Sequence, residues 1–191
     1  MTDASFAQAT PEHISSIKFN DVELVEAVPA NQLEKITGKT YLKVVKEYSE
    51  CSTNYEYSTT LNNGNSIKFE IYHEDNPQIK SETYYKTKNN FLQLATTKGV
   101  VWLTWKIQPN SSDKILVNNK ILNNQYTLNQ FKKDFPRNAK QGTSVVMLSP
   151  SELKQYLKKP SDFDLETFAH LSFNFKNGSL NQLQIDQAMA C

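Results

Sequence analysis

Leu171-Ser172-Phe173-Asn174-Phe175-Lys176-Asn177-Gly178-Ser179-Leu180-Asn181-Gln182-Leu183-Gln184-Ile185 is the stretch from which the fold class is read. Leu171, Phe173 and Phe175 alternate with polar residues, and Leu183 and Ile185 do so on the return. A period of two sends alternate side chains to opposite faces of a strand, one toward a core and one toward water. Asn177-Gly178 lies between the two runs, and both residue types accept the positive φ that a two-residue hairpin turn needs. A hairpin that buries one face belongs to an antiparallel sheet.

The same signal occurs earlier in the chain. Tyr55 to Leu61 alternates, Asn63-Gly64 turns, and Ser66 to Tyr72 returns. Two shorter stretches resemble each other, Ile17-Lys18-Phe19-Asn20-Asp21-Val22-Glu23-Leu24 and Ile115-Leu116-Val117-Asn118-Asn119-Lys120-Ile121-Leu122. Each predicts a strand, a tight Asx turn and a short return strand. Each also precedes a helix candidate. The first covers residues 31–37 and is stopped by Gly38. The second covers residues 127–135, with Thr127 as N-cap, Leu128, Phe131 and Phe135 on one face, and Pro136 ending it. The chain thus reads as two diverged strand-helix-hairpin units, residues 17–75 and 115–188, joined near residues 110–113.

Residues 82–86, 91–96 and 100–107 have β composition, and residues 97–99 would turn the last pair into a hairpin. Ser144 to Leu148 predicts a strand, followed by a helix opening with Ser149-Pro150-Ser151-Glu152, a capping-box pattern with proline at the first helical position. Leu153, Tyr156 and Leu157 give that helix one apolar face. Residues 41–48 fit neither period cleanly and are read as helical. The expected class is α+β: one domain over residues 10–191, an antiparallel sheet with a few short helices packed on one face.

Composition narrows the partners. The net charge is +1, and among 21 basic residues Arg137 is the only arginine. Arginine is the residue suited to bidentate phosphate and base contacts, so nucleic acid is not expected as a partner. The longest apolar runs, such as residues 100–103 and 145–148, fall far short of the roughly 20 residues that span a bilayer, so membrane insertion is not expected. Ala7-Gln8-Ala9 has the small-x-small pattern that ends a secretory signal. Residues 1–9 are therefore read as a signal-peptide remnant, or else as a disordered N-terminus, and the expected location is periplasmic or secreted. An oxidising space permits a Cys51–Cys191 disulfide; two unpaired thiols are the alternative.

Chemistry is sparse. His13, His73 and His170 lack zinc-ligand spacing, so no metal is expected. No Gly-x-Ser-x-Gly elbow and no glycine-rich phosphate loop occurs, and no cofactor is expected. His73-Glu74-Asp75, Cys51 with His73 or His170, and Asp162 with Asp164 are the remaining catalytic options, each more readily read as solvated loop or structural residues. The aromatics say more. In residues 100–107, Val101, Leu103, Trp105 and Ile107 share one face, while Val100, Trp102, Thr104 and Lys106 share the other. If the first face is core, Trp102 faces solvent, and Tyr84 or Tyr85 joins it. These five residues, Trp102, Thr104, Lys106, Tyr84 and Tyr85, form the candidate binding set, since tryptophan and tyrosine on a rigid sheet make protein-binding hot spots. The alternative is a helix covering that face and making Trp102 core.

A short strand, a helix ending at Phe135-Pro136 and a hairpin closing on Phe173-Asn174-Phe175-Lys176-Asn177-Gly178-Ser179-Leu180 resembles the repeat of the β-lactamase-inhibitor-protein class and of small outer-membrane assembly lipoproteins. The resemblance covers residues 115–188 better than 17–75. The chain departs from that class in the Phe-Pro helix end, the extra central strands and the lack of a lipobox cysteine after Ala9. The resemblance implies protein binding through a sheet face. The expectation is a periplasmic, non-enzymatic protein-binding module, an inhibitor or a toxin-neutralising immunity-type protein. An envelope assembly or maintenance factor, a small-molecule carrier and an unrecognised hydrolase are the alternatives.

Overall fold

The computed structural model describes residues 10–43, 47–48, 55–60, 65–72, 91–93, 100–109 and 115–187. In chain order the strands are β1 (His13–Ile14), β2 (Ile17–Phe19), β3 (Val22–Glu23), β4 (Val28–Pro29), β5 (Tyr41–Lys43), β6 (Glu47–Tyr48), β7 (Tyr55–Thr60) and β8 (Ser66–Tyr72). They continue with β9 (Phe91–Gln93), β10 (Val100–Ile107), β11 (Ile115–Val117), β12 (Lys120–Leu122), β13 (Ser144–Met147), β14 (His170–Lys176) and β15 (Ser179–Asp186). The α-helices among the described residues are α1 (Leu33–Thr37), α2 (Leu128–Asp134) and α3 (Pro150–Lys158). The class is α+β, with largely antiparallel sheets and few, short helices.

The large sheet runs β1-β13-β14-β15-β10-β8-β7-β6, with β4 added alongside β10. Among the described residues, only the pairing of β1 with β13 is parallel. The alternation read in residues 100–107 is realised: Val101, Leu103, Trp105 and Ile107 are fully buried, and Leu171, Phe173, Leu183 and Ile185 of the neighbouring hairpin join them on the same face. Asn177 and Gly178 take φ of 52° and 80°, as the two-residue turn requires.

A second sheet, β12-β11-β2-β3, covers this buried face. It consists of the two similar stretches. Asn20 and Asp21, and likewise Asn118 and Asn119, all adopt positive φ and close matching hairpins. The hairpins pair antiparallel through β2 and β11, Leu116 opposite Lys18 and Val117 opposite Ile17, giving this sheet an approximate twofold axis. That symmetry stops there. In the large sheet β6-β7-β8 and β13-β14-β15 lie in mirrored order about β10, with β8 and β15 both antiparallel to it and one buried face in common. No rotation produces a mirrored arrangement.

Ile17, Phe19, Ile115 and Val117 of the small sheet, Leu33 and Ile36 of α1, and Phe131 of α2 form one core with the large sheet. Phe131 sits in a ring cluster, 4.9 Å from Phe173, 5.3 Å from Phe135 and 5.7 Å from Phe175 between centroids. Both capping boxes form: Thr127 accepts from the Gln130 amide while Gln130 reaches back, and Ser149 and Glu152 do the same. Gly38 closes α1 in the left-handed conformation, φ 66°. Tyr126, 6% exposed, donates its hydroxyl to Asp134 Oδ2 at 3.0 Å, and Lys120 pairs with the same carboxylate. Burial, then the bond to Asp134 and its charge, push the Tyr126 hydroxyl far above its ordinary titration range.

Four local expectations are corrected. Residues 41–43 and 47–48 are strands rather than helix, because β5 finds a partner in β9 and β6 in β7; long-range pairing overrides an indecisive local pattern. The strand expected over residues 91–96 is described over Phe91–Gln93, and it pairs with β5 instead of forming a hairpin with β10, whose neighbours are β8, β15 and β4. The helix expected from residue 31 begins as a 3-10 turn over Ala30–Gln32. Leu157 is 49% exposed, so the apolar face of α3 is narrower than expected, and Tyr156 is its one buried residue. The expected strand at 82–86 and linker at 110–113 lie outside the described residues.

Candidate functional site

Directly paired residues on adjacent strands present their side chains to the same face. The pairs His13–Val146, Val146–His170, His170–Asp186, Asp186–Thr104 and Thr104–Lys68 therefore make one row across the face of the large sheet opposite the core. Ser144, Ser172, Gln184 and Lys106 make the next row. Trp102 lies on this face two residues before Thr104. Trp102 and Thr104 are half-buried and Lys106 is exposed. The face is polar along both rows apart from Val146, and Trp102 stands among these groups near the middle of the sheet.

One end of this face deepens into a cleft of about 340 Å³. Its walls are the chain before β1, the turn after α2, the outer side of β13 and β14, and the 3-10 turn Leu165–Thr167. Glu12 builds one wall. Its carboxylate accepts from the Arg137 amide at 2.8 Å, the Asn138 amide at 2.8 Å and Arg137 Nε at 3.3 Å, while Arg137 Nη2 donates to the Thr10 carbonyl at 2.6 Å. Burial alone would raise the Glu12 pKa. The two amides and then the Arg137 side chain and its charge outweigh that and hold it below the usual carboxylate value of 4.5. Opposite, His170 Nδ1 lies 2.7 Å from the Phe168 carbonyl. Only a protonated Nδ1 can bond there, so the neutral ring carries its free lone pair on Nε2. Asn138 Nδ2 donates to the Ser144 carbonyl at 2.9 Å, and Ser172 Oγ donates to Ser144 Oγ at 3.1 Å.

Gln187 ties the end of β15 into the core. It is 1% exposed, accepts from the Leu103 amide at 2.9 Å, and donates to the Leu24 and Glu26 carbonyls at 2.5 and 2.8 Å. This fixes the backbone of β10 next to Trp102.

Of the expected binding set, Trp102, Thr104 and Lys106 share one face; Tyr84 and Tyr85 lie outside the described residues. So do Cys51, Cys191, His73, Glu74 and Asp75. Asp162 pairs with Lys159, and Asp164 accepts from the Glu166 amide, so these two carboxylates have separate structural partners. Phe69 and Phe173 are packed into the core, 2% exposed each. Sequence reasoning missed Glu12, Arg137 and Glu166. The available signal was Arg137 itself, a lone arginine after the proline that ends α2. No group of three or more metal-ligating side chains occurs among the described residues, and no described helix is long and apolar enough to cross a membrane. Comparison with protein-family models, with curated proteins and with solved structures finds no match for this chain.

Proposed function

We propose that this protein is a periplasmic, non-enzymatic protein-binding module of the inhibitor or immunity type, and that it holds its partner on the outer face of β10. One observation carries the reading: Trp102 is half-buried on a mainly polar sheet face, which also carries Val100 and Val146, while the opposite face takes every fully buried side chain of β10. A large aromatic held on a rigid strand among polar neighbours loses little side-chain entropy on binding and offers a large desolvated area. Thr104 and Lys106 lie beside it as rim groups, and a rim lysine acts mainly on association rate and salt dependence. The export address rests on Ala7-Gln8-Ala9 and on the cysteine pair, and belongs to the same proposal.

The test is affinity capture from an envelope extract of the source cells with wild type and Trp102→Ala in parallel. The captured protein is then purified and titrated against both. A partner of standard interface size whose dissociation constant rises roughly 30-fold or more with Trp102→Ala supports the reading. Equal affinity for both proteins overturns it.

A further inference from the structure

We infer that the cleft between the Glu12–Arg137 pair and the Leu165–Thr167 turn is a binding site for a primary alkylammonium group. The inference is independent of the partner surface around Trp102. It follows from counting which groups in the cleft are already committed. Arg137 is the cation there: its Nε is bonded to Glu12 and its Nη2 to the Thr10 carbonyl, its Nη1 has no bond to a described residue, and its charge is offset by Glu12. Glu12 is committed in turn, to Arg137 and to two backbone amides. These two charges offset each other and form a fixed wall.

What remains uncommitted is rich in acceptors. The Glu166 carboxylate lines the cleft with no hydrogen bond or ion pair to a described residue. His170 spends its Nδ1 proton on the Phe168 carbonyl, so that the neutral ring offers Nε2 as an acceptor. Asn138 spends its side-chain amide on the Ser144 carbonyl and keeps Oδ1. Gln141 is uncommitted at both side-chain atoms. A primary ammonium has three donors and no acceptor, which matches a carboxylate, an imidazole lone pair and an amide oxygen. Val146 and Leu165 supply apolar wall for a short methylene stem. A carboxylate or phosphate ligand would meet the Glu166 charge, while the charge of Arg137 is already offset by Glu12. The ammonium could belong to a free diamine or to a lysine side chain of a peptide; the chemistry is the same.

The experiment titrates the full chain with 1,4-diaminobutane, with Nα-acetyl-lysine amide and with acetate, following the His170 Cε1–H resonance and backbone amides by NMR. Saturable shifts at His170, Glu166 and Asn138 are expected for an ammonium probe, with a dissociation constant on the order of 1 mM. Glu166→Gln, an exposed position, should weaken that binding roughly tenfold. Tighter binding of the diamine points to a free polyamine, and comparable binding of the lysine derivative points to a protein side chain; either supports the site. No saturable shift with either ammonium, equal affinity in Glu166→Gln, or saturation by acetate instead would overturn it.

Discussion

Phe19 meets Trp105 edge to face, with ring centroids 4.6 Å apart and planes at 84°. The first ring belongs to the small sheet and the second to the central strand of the large one, so this pair joins the two layers. Trp105 is fully buried, and its Nε1 has no hydrogen-bond partner among the described residues. The ring contact and the buried area must therefore outweigh an unpaired donor. A double-mutant cycle with Phe19→Leu and Trp105→Phe should give a coupling of about 0.5–1.5 kcal/mol in denaturant unfolding. Trp105→Phe alone should cost less than the roughly 3–5 kcal/mol of truncating a large core aromatic to alanine, because it also removes the unpaired N–H.

Asn118 does two jobs. It holds φ at 47° in the β11–β12 turn, and its side chain accepts from the Ser15 and Ser16 amides and donates to the His13 carbonyl. Asn118→Gly keeps the turn and loses the tie to the N-terminal segment; Asn118→Ala loses both. Thermal or urea unfolding should rank wild type above Gly above Ala, with the Gly variant down about 1–2 kcal/mol and the Ala variant down about 1 kcal/mol further.

Glu12 makes stability depend on pH in a known direction. Its pKa is lowered on folding, so its contribution is present in full above the ordinary carboxylate value of 4.5 and is lost as pH falls through the lowered native value. Glu12→Gln should cost about 1–2 kcal/mol at neutral pH, where the charged acceptor is replaced by a neutral one. The gap between the two proteins should close progressively in acid. Urea midpoints at a series of pH values measure this; a gap that widens toward low pH would have the wrong sign.

The helix caps give a smaller effect. Thr127→Ala and Ser149→Ala each remove a side-chain acceptor for an N3 amide and should each cost about 1 kcal/mol. The helices are far apart in sequence and cap different elements, so the two losses should add in the double variant.

How much of this was readable beforehand depended on whether a signal was local. The Asn177-Gly178 hairpin, the two Asx hairpins, the Thr127 N-cap, the Ser149–Glu152 capping box and the burial pattern of residues 101–107 rest on neighbouring residues, and the structure places them as read. Pairing partners were not readable, because β9 joins β5 and β1 joins β13 across long stretches of chain. Residues 41–48 failed for the same reason: their strands exist through partners rather than through their own period. The Trp102 face could be drawn from alternation alone. The cleft could not, since Glu12 and Arg137 lie 125 positions apart and meet only through the β1–β13 pairing.

Whether the outer face of β10 holds a protein is tested most directly by a photoreactive amino acid placed on each side of the molecule in living source cells. Lys106 on that face is exposed, and so is Lys132 on α2. Benzoylphenylalanine at position 106 should give one discrete adduct of higher mass on irradiation, absent with the same residue at position 132 and lost when Trp102→Ala is added. No adduct at 106, or the same adduct from both positions, would contradict a binding site on this face.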